Sequence, residues 1–209
     1  MSTMVDAQKL TEAECDALRE IANIGAGHAA TALSQMTGRK IMIDVPEVAV
    51  KRLEEAAEQI GPADTIVAAV LMHMMGDLTG RTLLVLPESS ARSLCSILLR
   101  TSEPGPGFTD MQKSAIMETG NILCSAYLNA LSDFMGMMLV PSVPALVADL
   151  AGAVLTTAYL NFGHSRDHVI CVETAFRIAG SDDKVNGQFI LMPDVASLTA
   201  IFDAIHLVQ

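Results

Sequence analysis

Residues 16–46 read DALREIANIGAGHAATALSQMTGRKIMIDVP, and residues 114–144 read SAIMETGNILCSAYLNALSDFMGMMLVPSVP. An offset of 98 residues lays one on the other. Ten of the 31 positions are then identical: Ala17/Ala115, Glu20/Glu118, Asn23/Asn121, Ile24/Ile122, Ala32/Ala130, Leu33/Leu131, Ser34/Ser132, Gly38/Gly136, Val45/Val143 and Pro46/Pro144. Chance matching at ordinary residue usage gives about two. Two unrelated amphipathic helices would account for the matched Ala and Leu, but not for the matched Glu, Asn, Gly and Pro. The chain is read as an internal duplication.

Working outward, each copy spells the same succession. A long helical pattern (residues 12–36 and 110–134) runs to a glycine, Gly38 or Gly136, where a left-handed terminating residue is expected. Thr109 or Asp110 caps the second helix. An extended segment follows (residues 41–50 and 138–147), in which Pro46 and Pro144 cannot donate to a ladder. A short helical piece comes next, at residues 52–60 and 146–160. Two strands then form a hairpin, 65–75 with 81–86 and 169–178 with 188–192. Pro87 and Pro193 open a closing helix in each copy. Residues 101–108, TSEPGPGF, are the linker. Consecutive strands with short turns imply a largely antiparallel sheet carrying helices. The expected fold is therefore α+β with pseudo-twofold internal duplication. Repeats at about 11–100 and 109–207 share one sheet and form a single domain over 1–209.

Composition bounds the function. The 209 residues are 51% apolar with a net charge of −11, and the mean hydropathy is +0.40. So apolar a chain can offset its ordering entropy, which excludes disorder. The longest stretch free of charge, residues 150–165, is 16 residues long and holds Asn161 and His164. A spanning helix needs about 20 mostly apolar residues, so no membrane insertion is expected. The N-terminus carries acids early and lacks the apolar core of a signal peptide, which points to a cytoplasmic protein. The acid excess argues against nucleic acid, which is bound by neutralising phosphates. Cys15, Cys95, Cys124 and Cys171 lie far apart, as reduced thiols do rather than a disulfide framework.

The long helices carry the candidate site. At 100° per residue from Asp16, Glu20 falls at about 40° and Asn23 at about 340°, one narrow stripe. Leu18, Ile21, Ala22, Gly25, Ala29, Ala32, Leu33 and Met36 lie on the opposite, core side. Ser114, Glu118 and Asn121 repeat the stripe, with Ile116, Leu123, Tyr127, Ala130, Leu131 and Phe134 inside. An outward Glu and Asn are ordinarily a solvated face. Here they persist in both copies while neighbours such as Arg19/Met117 and His28/Ala126 differ. Gly27 and Ser125 sit on the same stripe one turn further on. A mid-helix glycine costs about 1 kcal/mol against alanine, so a small residue here would let a partner approach closely. Gly25 faces inward, where tight packing on the sheet explains it.

Independent chemistry looks poor. No nucleophile–His–acid pattern or phosphate-binding glycine loop is present, and Gly25-Ala26-Gly27 lies inside the helix. His164 and His168 are four apart in a loop-to-strand region, a weak metal pair. No metal or cofactor of its own is expected. An exposed carboxamide beside a carboxylate suits the completion of a partner's active site. Phosphoryl hydrolysis needs an oriented water, and in some GTPases a Gln carboxamide is what positions it.

Asp16–Glu20–Asn23–Pro46 and Ser114–Glu118–Asn121–Pro144, each with 22 residues between Asn and Pro, resemble the doubled motif of the CheC/CheX/FliY chemotaxis phosphatases, and most of all CheC. The resemblance covers nearly the whole chain. It implies hydrolysis of the aspartyl phosphate on a CheY-type response regulator, with the receiver bringing the phosphate, its Mg²⁺ and most catalytic groups. It further implies that Asn23 and Asn121 orient the attacking water and that Glu20 and Glu118 pair with a receiver lysine. Asp16 and Ser114 lie on the same stripe, and the prolines are structural. Two intact motifs differ from CheX-type chains, and the lack of a FliN-like domain after His206 disfavours FliY. The resemblance also offers CheD, a receptor deamidase, as a second partner. A regulator that chiefly binds CheD, or a flagellar-switch component, are the competing readings.

Overall fold

Both long helices begin at the same reciprocal cap. The Thr11 hydroxyl accepts from Glu14 N–H while the Glu14 carboxylate accepts from Thr11 N–H at 2.6 Å, and Thr109 and Gln112 repeat the exchange. Thr109, not Asp110, therefore caps the second helix. Both end on a left-handed glycine, Gly38 at φ 66° and Gly136 at φ 64°, whose N–H returns to the carbonyl of Ser34 or Ser132.

The structure, a computed structural model, describes residues 11–100, 105–160, 168–178 and 184–206. The first copy runs α1 (Glu12–Thr37), β1 (Ile41–Asp44), β2 (Val48–Arg52), α2 (Leu53–Ile60), β3 (Ile66–Gly76), β4 (Gly80–Pro87) and α3 (Glu88–Leu99). The second runs α4 (Asp110–Met135), β5 (Leu139–Pro141), β6 (Ala145–Leu150), α5 (Ala151–Leu160), β7 (His168–Ile178), β8 (Lys184–Pro193) and α6 (Val195–His206). Residues 101–104 of the expected linker and His164 lie outside the described residues.

All eight strands join one sheet in the order β1–β7–β8–β4–β3–β5, with β2 also on β7 and β6 also on β3. Every described pairing is antiparallel. The centre is the β4–β8 pair, one strand from each copy, with Leu83 opposite Ile190. The edges are exchanged. β1 and β2 of the first copy pair with the second copy's hairpin, and β5 and β6 of the second pair with the first copy's hairpin.

Two expectations are corrected here. The extended segment at 41–50 is broken around Pro46, and that at 138–147 around Pro144. Asp44 faces Ala175 and Val48 faces Val172, so residues 45–47 span only 173–174. Pro141 faces Met74 and Ala145 faces Leu71, so residues 142–144 span only 72–73. Each is a one-residue bulge, the place where a proline without an N–H is tolerated in a ladder. Second, residues 146–150 are strand rather than helix. They pair with β3 from Ala145 opposite Leu71 to Leu150 opposite Ile66, and α5 starts only at Ala151. The 98-residue offset places Leu150 opposite Arg52, the last residue of β2, so the repeat already carried that boundary.

Both sheet faces are buried. Ala68, Val70, Met72, Leu84, Phe189 and Leu191 pack with the buried sides of α1, α4, α3 and α6. Ala69, Leu83, Val85, Cys171 and Ile190 face the other way, toward Ala56 and Ile60 of α2 and Ala151 and Val154 of α5. Alternate residues of one strand thus serve two cores, as period-two geometry requires. Among the described residues no helix is long and apolar enough to cross a membrane.

Candidate functional site

Leu18, Ile21, Ala22, Gly25, Ala29 and Leu33 of α1 are buried, as are Ile116, Leu123, Tyr127, Ala130 and Leu131 of α4. That burial turns the opposite stripe of each helix outward. Two inward placements differ from the helical-wheel reading: Met36 is exposed and Ala32 half-buried, whereas Phe134, although half-buried, packs against the core as expected. Ala26 is buried instead.

The rotation of both helices is fixed by close contacts at glycine. A Cβ on Gly25 would lie 2.4 Å from Tyr127 Cδ1 and 3.0 Å from Tyr127 Cα. Gly25 therefore packs against α4, not against the sheet as expected. The Tyr127 ring rests on Phe189 with centroids 4.7 Å apart, and its hydroxyl lies 3.4 Å from Thr174 Oγ1. On α4 it is Gly120 that meets the sheet, where a Cβ would stand 2.6 Å from Val70 Cγ1. α1 is also held at both ends. Glu14, with 4% of its side chain exposed, sits 2.5 Å from His206 Nδ1 of α6. Arg100 donates to the Thr37 carbonyl at 2.9 Å. A site on so anchored a helix is held in one orientation.

On α1, Asp16, Glu20, Asn23 and Gly27 are all exposed. On α4, Ser114 and Glu118 are exposed, whereas Asn121 and Ser125 are half-buried. The side chains of Glu20, Asn23, Glu118 and Asn121 make no hydrogen bond or ion pair with any described residue. Asp16 does, accepting from Arg19 Nη1 at 2.6 Å, an exposed i,i+3 pair of at most about 1 kcal/mol. A Cβ added at Gly27 would meet nothing within 4 Å, so no packing among the described residues demands glycine there. Pro46 is exposed and Pro144 half-buried, each in its bulge. Sequence reasoning passed over one neighbour of the stripe. Ile24, identical with Ile122, keeps 45% of its surface exposed. Its helical angle of about 80° was the available signal.

Among the described residues, no three His, Cys, Asp or Glu side chains are placed to hold a metal ion. Three of the four cysteines, Cys95, Cys124 and Cys171, are buried core thiols, and Cys15 is half-buried. Burial pushes Cys95, Cys124 and Cys171 up to about 11, opposed by the Arg92 charge, a Thr82 hydrogen bond and the Lys51 charge respectively. Burial likewise raises Tyr127 to about 12. Thiols that ionise near 9 when unfolded then keep their protons when folded. The folded state binds more protons in that window, so stability falls as pH rises. Urea midpoints should drop as pH rises between about pH 9 and 11. A midpoint that rises across this window would contradict the placement of these thiols.

The CheC-like family model matches residues 14–50 and 111–148, one match on each copy. The chain is 33% identical to the CheY-P phosphatase CheC of Bacillus subtilis (strain 168), over 94% of this chain and 95% of that protein. Its fold is similar to that of Thermotoga maritima FliY, with TM-score 0.78 and 22% identity over 96% of this chain and 99% of the other. It is also similar to the middle domain of FliM from H. pylori, with TM-score 0.61 and 17% identity over 93% and 99%.

Proposed function

Because the chain belongs to the CheC-like family, we propose that it hydrolyses the aspartyl phosphate of a CheY-type response regulator. The observation that carries this reading is the Glu/Asn pair, present once on each long helix and without any partner among the described residues.

The chemistry divides between the two proteins. The receiver supplies the acyl phosphate and a Mg²⁺ that neutralises the phosphoryl oxygens, so little covalent work is left. Asn23 or Asn121 accepts a hydrogen bond from a water through its carboxamide oxygen and holds that water in line with the acyl P–O bond. The water oxygen bonds to phosphorus as that bond breaks, releasing the aspartate carboxylate and, after proton loss, inorganic phosphate. An amide is not a base at neutral pH, so its contribution is orientation. Glu20 or Glu118 pairs with a receiver lysine and fixes the helix against the phosphoryl group. Gly27 leaves room for the receiver's surface one turn on; Ser125 is the small residue at the second site. Asp16 and Ser114 border the same contact.

The test is decay of the phosphorylated receiver with and without this chain. Acceleration is expected with Mg²⁺ present and should vanish on chelation, while the thermal midpoint of this chain alone stays unchanged. A midpoint that falls under chelation would reveal a metal site in this chain and overturn the division of labour. A chain that binds CheD but fails to accelerate decay would replace the phosphatase reading with that of a CheD-binding regulator.

A further inference from the structure

Ile24 is the large apolar residue that both copies retain on the flank of the stripe (Ile24/Ile122) and that α1 leaves exposed. It stands one turn beyond Glu20 at i,i+4 and one turn before Gly27 at i,i+3, so the three share a ridge of the helix surface. Nothing local favours it there, since isoleucine is a poorer helix former than alanine, lysine or glutamate. Its counterpart Ile122 packs partly against the core, whereas Ile24 has no such role. The neighbouring Gly27 opens onto empty space, which leaves the ridge accessible to a flat approaching surface.

Resting on the phosphatase reading above, we infer that Ile24 is the apolar docking contact of the first site. It seats an apolar side chain of the receiver beside the phosphorylated aspartate and so holds the receiver on the helix that carries Glu20 and Asn23. Ile122 offers a smaller version of the same contact at the second site. Burying apolar surface holds the complex without distinguishing ground state from transition state, so its loss shows in KM rather than in kcat.

The experiment places Ile24→Ala and Ile24→Leu in an Asn121→Ala background, so that turnover runs from the first site only. KM and kcat are read from decay of the phosphorylated receiver, with the thermal midpoint of each variant. Ile24→Ala should raise KM about fivefold, the scale of returning half an isoleucine side chain to water. Its kcat and midpoint should hold, and Ile24→Leu should restore KM. An unchanged KM, a fall in kcat alone, or a lowered midpoint in Ile24→Ala would overturn the inference while leaving the phosphatase reading intact. A parent protein that accelerates no decay at all would end both.

Discussion

The double variant Asn23→Ala, Asn121→Ala should lose the ability to accelerate receiver dephosphorylation by about a hundredfold or more, the scale on which enzymes lose rate when a reacting group is no longer oriented. Its thermal midpoint should stay at the wild-type value. Asn23 is exposed and Asn121 half-buried, and neither carboxamide bonds to a described residue, so truncation leaves no buried group unpaired. Binding should also persist, because the anchoring charge of Glu20 and Glu118 remains. A folded double variant with wild-type activity would remove the carboxamides from the mechanism.

The second large effect separates two glycines that stand two residues apart in the chain. Gly25→Ala would drive a methyl into Tyr127, whose ring is pinned by Phe189 and whose Cα lies only 3.0 Å from the new atom. Overpacking of this kind costs about 1–3 kcal/mol. Because the contact includes backbone, we expect the upper end, only partly offset by better helix propensity. A net loss of about 2 kcal/mol would lower the thermal midpoint by about 4–8 °C for a chain of this size. Gly27→Ala meets open space and should stabilise by about 1 kcal/mol, raising the midpoint by about 2–4 °C. It should nevertheless weaken catalysis at the first site, where the added methyl obstructs the receiver. Calorimetry and decay rates on the two variants check both signs; shifts in the same direction would show that one of the glycines is misplaced.

The two residues also mark how far the sequence can be read. The helical wheel separates Gly25 from Gly27 because burial follows a 100° period, so the outward stripe is legible from residue spacing alone. What Gly25 packs against is not, since an inward angle does not say whether sheet or helix waits there. The ends at Gly38 and Gly136 are legible because they are local chemistry, whereas spacing leaves Thr109 and Asp110 both open as the second cap and does not single out Thr11. The exchange of edge strands is not, because nothing in residues 41–52 specifies which hairpin they join. Residues 146–150 mislead for a related reason. LVADL on an edge strand lacks the alternation that a half-buried strand shows, and the alanine-rich run after it extends the helical impression backwards. The half-burial of Asn121 and Ser125 comes from tertiary neighbours, so two stripes identical in angle differ in exposure.

The central claim is that two helix-borne sites each work through their own asparagine. It is tested most directly by the single variants, Asn23→Ala and Asn121→Ala, at saturating phosphorylated receiver. Each should keep a partial rate, and the two residual rates should sum to about that of the wild type. If either single substitution abolishes all acceleration, or neither lowers it, the two stripes are not independent catalytic sites.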